Sequence, residues 1–522
     1  IEVDSIKQAK KTIDTINVTC GDQGVVALLK AQMGTGKTQG VLKPTIEFFD
    51  DGGAHPIAIA PICSLVEANA NLFNIHHYKD NADFNSSLDS KKEIVTALAT
   101  TINSMPNKKF QGFCARSGML IVDEFTQVLR SITSGTVKDY QRLTTERALA
   151  TQLYKSKLSI LADADMNQTA VDYIKSVVPN HKIIVVVVKP KKQKKNYHVI
   201  SSTDGVLNHA KNLERLQLKL SQGSRIFCTS DSKQSTEEIY VACKGLIKEE
   251  DILLIHSESS SGEKQQAFLS EPNAYLEKNQ PKLVITSPCV QSGISIELDY
   301  FNQGFGFYKH IVTPTYFRQM LHRVRPVKDF YISMNCPIPT HNTFLEDPDF
   351  ILRESIQHHI DQYNLDQACF NENDALIHKE DRIQLSEQVK PYCWLSSQLK
   401  ALDQNQRNYA SNYLLLHALS EGIHIIYHDP INDEDKKELK NVSKAYQSLA
   451  KDQRIAKIVN AHKMTEAQYT TLKQSHQLSV KENFDVTRFE VSLTTGKLDI
   501  NDEDVKYHQD SGGKYLKTLE SM

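Results

Sequence analysis

The sequence predicts an α/β protein: two successive units built on parallel sheets, followed by a mainly helical region. Three observations carry this. Short, nearly all-apolar runs alternate with helical stretches through the first two-thirds of the chain. A glycine loop ending in Lys-Thr directly follows the first of these runs, and a pair of carboxylates closes another. Runs that are apolar at every position suit strands covered on both faces, which is the setting of parallel sheets.

Taken in order, strands are expected at Val25–Leu29, Pro56–Ala60, Met119–Val122, Leu158–Ala162 and Ile183–Val188, giving a first domain over residues 1–190. A basic run follows, Lys189-Pro190-Lys191-Lys192-Gln193-Lys194-Lys195, readable either as a solvated linker or as a patch facing nucleic acid. The alternation restarts with Arg225–Cys228, Ile252–Ile255, Leu283–Ile285, Gly304–Phe307 and Phe330–Met334, a second domain over residues 191–336. From there the character changes. Long polar helices are expected at Leu352–Tyr363, Trp394–Leu416 and Asp433–Lys451, so residues 337–522 form a third, helical region, accessory or docking a partner or DNA.

Composition excludes several classes. Of 522 residues, 40% are hydrophobic and 24% charged, as in a globular protein with ordinary cores. The formal net charge is −2, so any nucleic-acid site must be a local groove and not a polycationic surface. The longest apolar run, Ile183–Val188, is too short to span a bilayer, and no membrane association is expected. Nine cysteines are scattered without a C-x-x-C pair; Cys20, Cys63, Cys114, Cys228 and Cys289 sit beside apolar residues and read as reduced thiols of a cytoplasmic protein. The chain starts at Ile1 without a methionine, which points to a fragment or processed product with a domain upstream.

Residues 31–38 read Ala-Gln-Met-Gly-Thr-Gly-Lys-Thr. A strand, a glycine loop and a helix in this order make a cradle for the phosphates of ATP. Backbone N–H groups of Met33, Gly34, Thr35 and Gly36 turn inward, and the helix start adds its positive dipole end. Lys37 is placed to reach the β- and γ-phosphates, and the Thr38 hydroxyl to hold Mg²⁺. Met119-Leu120-Ile121-Val122-Asp123-Glu124 is an apolar run ending in two carboxylates. At the carboxyl end of a parallel strand, Asp123 would act on Mg²⁺, and Glu124 would polarise the water that attacks the γ-phosphate.

A single phosphate loop followed by a second α/β unit suggests two similar lobes with ATP between them. The second lobe must then present positive charge, and Thr315–Arg325 is the candidate. In it Gln319 and Arg323 stand at i, i+4 and share one face of the expected helix. Either Arg323 or Arg325 could stabilise charge on the transferring phosphoryl group. Strand ends running into small hydroxylated turns, Ser230-Asp231-Ser232 and Thr286 to Ser292-Gly293-Ile294-Ser295, suit phosphate contacts on ATP or on a nucleic-acid backbone, and equally suit ordinary caps.

The order of these motifs resembles that of superfamily 2 helicases. Residues 31–38 look like motif I of that family, where alanine is common in first position, and Asp123-Glu124-Phe125-Thr126 like motif II. Ala60–Leu65 and Thr100–Met105 are similar to motifs Ia and Ib, Thr286–Ser295 to motif V and Gln319–Arg325 to motif VI. Asp163-Ala164-Asp165 at the motif III position and the Arg-x-Arg ending of motif VI resemble origin-binding helicases of the herpesvirus type and the helicase part of plasmid and phage replication proteins of the cyanobacterial type, and the tail residues Ile458–Ala461, Met464, Thr465 and Tyr469 resemble those plasmid proteins. Two positions depart from the usual pattern: His322 stands where motif VI has glycine, and the second arginine is at 325. No clear adenine-reading glutamine motif precedes the loop, and Gln23 is a candidate for that role.

The resemblance implies two RecA-like domains that hold Mg·ATP and unwind or translocate along nucleic acid, with single-stranded or forked DNA as the expected partner. A primase-like domain, fused or associated, often precedes such helicases. The strand would run over Ser64, Thr101, Ser104, Ser230 and Thr286, held by its phosphates. The alternatives are an ATP-switched origin-binding scaffold without processive unwinding, or an RNA helicase. A small-molecule kinase would need a lid and an acceptor site instead of the second lobe.

Overall fold

The computed structural model describes residues 1–512 except 33, 81, 86–94, 134–136, 138, 191, 193, 201–203, 289–293, 335–342, 366–375, 380–381, 386–389, 429–432 and 475–477. A few further side chains, that of Ser64 among them, lie outside the description. The chain divides into two compact units, Ile1–Lys191 with Pro339–Asn408, and Lys192–Ile338 with Tyr409–Met522.

The first unit is built on eight strands: β1 (Glu2–Val3), β2 (Val25–Lys30), β3 (Ile57–Ala60), β4 (His76–His77), β5 (Leu98–Thr101), β6 (Met119–Asp123), β7 (Leu158–Asp163) and β8 (Lys182–Val188). They lie in the order β1-β8-β2-β7-β6-β3-β5-β4, every neighbour parallel. The all-apolar run in β2 has a simple cause. Val26 and Leu28 face one core layer, with Ile57, Ile59, Leu120 and Val122. Val25, Ala27 and Leu29 face the other, with Ile13, Ile46 and Ile160. Each side chain leaves water, and full burial of one Val, Leu or Ile contributes about 1.5–3 kcal/mol. The register pairs Lys30 with Asp163 and Asp123 with Ala162, so the ends of β2, β7 and β6 meet at one edge of the sheet.

The second unit has β9 (Asn196–Ile200), β10 (Ile226–Ser230), β11 (Ile252–Ile255), β12 (Leu283–Thr286), β13 (Gln303–Tyr308) and β14 (Asp329–Met334). Two further strands, β15 (Leu376–Lys379) and β16 (Arg382–Leu385), form an antiparallel pair within the first unit. The last, β17 (His424–His428), returns to the second sheet, whose order is β11-β12-β10-β13-β14-β9-β17, again all parallel. Two glycines of β13 are required by space. A Cβ on Gly304 would meet the Phe330 ring at 2.4 Å, and one on Gly306 would meet Leu321 at 2.8 Å. Gly306 thus lets the helix Pro314–Leu321 lie against the sheet.

The α/β class with two parallel sheets expected from the sequence is the one found, and every strand named from the apolar runs is present to within two residues. The region beyond residue 337 is mainly helical among the described residues, as expected. Residues 339–408 belong to the first unit and 409–522 to the second. The helix expected over Trp394–Leu416 is two helices, Lys390–Asn408 and Ala410–Ser420, broken at Tyr409 (φ −116°, ψ 31°). Leu395 and Leu399 join the first core, whereas Leu414 and Ala418 join the second. Packing on two different cores, not local propensity, makes the break. Among the described residues no helix is long and apolar enough to cross a membrane.

Candidate active site

Lys30 ends β2, and its ammonium turns away to the Met166 carbonyl (3.0 Å). Ala31 then donates its N–H to the Asp163 carbonyl (3.1 Å) and buries its methyl with Val41, Leu42 and Ile46. The alanine in first position is therefore a core residue beneath the loop. Gly34 and Gly36 adopt φ +73° and +83°, the left-handed region that glycine enters without penalty. The space around Gly36 is open, so its backbone angle and not crowding requires glycine. Between them the Thr35 hydroxyl closes the turn on the Gln32 carbonyl (2.7 Å). The helix beyond Lys37 opens with one wide turn over Thr38–Leu42 and continues as Lys43–Asp51. Pro44 lies in its first ordinary turn and brings no N–H, which favours the wide opening. The first amides of a helix have no intrahelical acceptor and point at whatever sits before it.

The carboxylates come from β6. Lys37 is buried, with Nζ 2.8 Å from Glu124 Oε1 and 3.8 Å from Asp123 Oδ1. Glu124 adopts φ +55°, a left-handed angle that costs a non-glycine residue about 1–3 kcal/mol. This turn aims its carboxylate back over the strand end at Lys37. Its second oxygen, Oε2, is buried with no hydrogen-bond partner among the described residues. Burial raises the Glu124 carboxyl to about 7, against the lowering effect of Lys37. For Lys37 burial acts downward, but Glu124, Asp123 and Asp163 outweigh it and hold the ammonium above its ordinary value. A group poised near neutrality can accept a proton at working pH.

Asp163 is the residue that sequence reasoning placed in a motif but gave no role. It ends β7, between the other two strands, and is fully buried. Its Oδ2 accepts from the Thr126 N–H (2.7 Å) and hydroxyl (2.6 Å), and its Oδ1 from the Asp165 N–H (2.7 Å). It thereby ties the helix Phe125–Thr133, just after Glu124, to the loop strand. The signal available was the Asp-Ala-Asp at the end of an apolar run.

Gln319, Arg323 and Arg325 lie in the second unit. The expectation that Gln319 and Arg323 share a helical face does not hold: the helix ends at Leu321, with His322 as its cap. Val324 is drawn into a parallel bridge with Ile296, and Arg325 N–H donates to the Ile296 carbonyl (2.9 Å), so the chain turns extended before Arg323 can complete a helical turn. Arg323 is buried, with Nη1 on the Ile294 carbonyl (3.2 Å); Arg325 is half-buried, with Nε on the Ser295 hydroxyl (3.3 Å). His322 fills the position of the usual glycine by hydrogen-bonding the Tyr197 hydroxyl (2.8 Å) and packing on Phe330.

The remaining candidates scatter. Met33 and Gly293 lie outside the described residues, as does the Ser64 side chain. Thr101 is buried, its hydroxyl 3.0 Å from that of Ser104. Ser230 and Thr286 are buried too, their hydroxyls on the carbonyls of Phe307 (2.8 Å) and Cys228 (3.3 Å). These bonds serve the sheet. Gln23 precedes β2 and so stands at the opposite edge of the sheet from the loop, roughly 20 Å away. Its amide bonds the Asn180 carbonyl, and it cannot read a base held by that loop.

No protein-family model matches the chain, and no curated protein does. Similar solved structures include the helicase MrfA bound to DNA (12% identity, TM-score 0.43, covering 68% of this chain and 48% of that one). Others are Dbp5 of S. cerevisiae bound to RNA and ADP BeF3 (12%, TM-score 0.46, 84% and 93%) and Mss116p bound to ssRNA and AMP-PNP (14%, TM-score 0.46, 81% and 91%). The chain spans about half the length of MrfA. At this distance the likeness leaves the functional reading to the chain's own site.

Proposed function

We propose that this protein is an ATP hydrolase that couples turnover to translocation along, or unwinding of, nucleic acid, with DNA in plasmid, phage or mobile-element replication as its setting. One observation carries the reading. The ends of β2, β7 and β6 bring a left-handed glycine loop, a buried lysine and two carboxylates to one edge, with one carboxylate oxygen unpartnered among the described residues. The donors fit a triphosphate and the acceptors fit its magnesium ion. Thr38 and Asp123 hold Mg²⁺, which neutralises phosphate charge when bound. Lys37 and the amides of residues 33–38 hold the β- and γ-phosphates, with Gly293 a further backbone contact. Glu124 orients the attacking water and takes its proton. Gln319 with Arg323 or Arg325 stabilises the charge that develops on the γ-phosphoryl group. Nucleic acid is gripped by its phosphates through Ser64, Ser104 and the backbone amides beyond the strand ends at Thr101, Ser230 and Thr286, whose own buried hydroxyls are taken up within the fold, hence without strong sequence preference.

The test is ATP hydrolysis measured in parallel with no nucleic acid, single-stranded DNA, duplex DNA and RNA. Stimulation by single-stranded DNA is the expected result; absence of stimulation by any of them sinks the coupling. The base adds a pH dependence. Because kcat/KM reports groups of the free enzyme, it should rise with pH through about 7 as Glu124 loses its proton. Glu124→Gln should lower kcat by about 10²–10⁴ and remove that limb. A variant that keeps the limb would assign it to another group.

A further inference from the structure

The basic run ending at Lys195 reads from sequence as a solvated linker or a nucleic-acid patch. Its last lysine is neither. Lys195 Nζ donates to the carbonyls of Arg325 (3.0 Å) and Val327 (2.7 Å) and stands 5.0 Å from the Phe330 ring centre. Its backbone is fixed as well: the carbonyl accepts the His424 N–H (2.9 Å), and the next residue, Asn196, donates its N–H to the Lys328 carbonyl (2.7 Å). The two carbonyls held by Lys195 flank Pro326, which has no N–H to tie the turn from within. On its other side the turn is held by Ile296, whose N–H donates to the Arg323 carbonyl (2.8 Å) and whose carbonyl accepts the Arg325 N–H (2.9 Å).

We infer that Lys195 is a positioning residue for the turn Arg323–Val327, setting where both arginines start; this rests on the functional reading above. Ile296 holds one side of the turn and Lys195 the other, so the two guanidinium groups spring from a backbone clamped at residues 323, 325 and 327. Burial, and then the Arg325 charge, pull the Lys195 ammonium down to about 8. The two carbonyls and the aromatic face offset that penalty. The second unit begins at Lys192, three residues before this lysine.

The test compares Lys195→Met and Lys195→Arg with wild type in nucleic-acid-stimulated ATP hydrolysis. Methionine keeps the bulk and removes the donors. It should lower kcat by about 10–100-fold, the range expected for a misplacement near 1 Å, while KM for ATP and the affinity for a fluorescent ATP analogue change by less than about 3-fold. Arginine, which can donate to both carbonyls, should restore kcat to within about 3-fold. Should methionine lower the melting temperature, Lys195→Gln, whose amide keeps a neutral donor nitrogen on a shorter side chain, carries the same comparison in a folded protein. Wild-type kcat in both Lys195→Met and Lys195→Gln, or a loss confined to KM, overturns the inference. Lys37→Ala and Arg323→Ala are run alongside. If these abolish turnover and the Lys195 variants do not, only the positioning role falls; if these also leave turnover intact, the functional reading falls first.

Discussion

Lys37→Ala should abolish ATP turnover and leave the protein folded. Glu124, Asp123 and Asp163 all act on this lysine, and its ammonium stands 2.8 Å from Glu124. Without it the phosphates lose their principal side-chain donor, and the buried Asp123 and Asp163 and the half-buried Glu124 lose their counter-charge. Turnover at the wild-type rate, followed as phosphate release, would show that residues 31–38 are not a nucleotide loop. The substitution also predicts a stability signature. The Glu124 carboxyl lies above its ordinary 4.5, at about 7, although Lys37 lowers it, so removing Lys37 raises it further. A carboxyl with a raised folded value binds more protons folded than unfolded. Its contribution is present below the unfolded value and lost as pH rises toward the folded one. The deficit in melting temperature of Lys37→Ala relative to wild type should therefore be larger at about pH 8 than at about pH 5. A deficit independent of pH would mean that the carboxylates are neutralised by another group.

Arg323→Ala should slow hydrolysis by about 10³-fold or more, the scale of an arginine acting on a phosphoryl transition state. Arg323 is buried and bonded to the Ile294 carbonyl, so the alanine variant also leaves a hole and an unmatched carbonyl. Melting curves and Arg323→Lys, which keeps the charge but not the planar fork, separate these effects. Loss of turnover with an unchanged melting temperature supports the catalytic role. If Arg325→Ala is the damaging change and Arg323→Ala is mild, then the arginine facing phosphate is the half-buried one and Arg323 serves the fold.

Much of this was legible in the residues. Strands such as β2 and β6 are apolar at every position but the last because they are covered on both faces, and that pattern is hard to mistake. β9 and β17 were not legible. Asn-Tyr-His-Val-Ile and His-Ile-Ile-Tyr-His carry polar residues at the sheet's margin, and their pairing spans more than 200 residues of sequence. The split of residues 339–522 between two units was hidden for a related reason: Tyr409 breaks a helix whose two halves are drawn to different cores.

The sequence by itself determined the glycine loop, its lysine and the two carboxylates, because each depends on neighbours in the chain: glycines free to turn left-handed, a helix start and the last residues of a strand. Only the tertiary structure decided what holds them. Asp163 reaches Thr126 beyond the end of the neighbouring strand, Val324 leaves its helix for Ile296, and Lys195 meets carbonyls 130 and 132 residues away. These are hydrogen bonds between groups that sequence distance does not relate. Their partners are set by strand order and register, which follow from how whole apolar faces are buried.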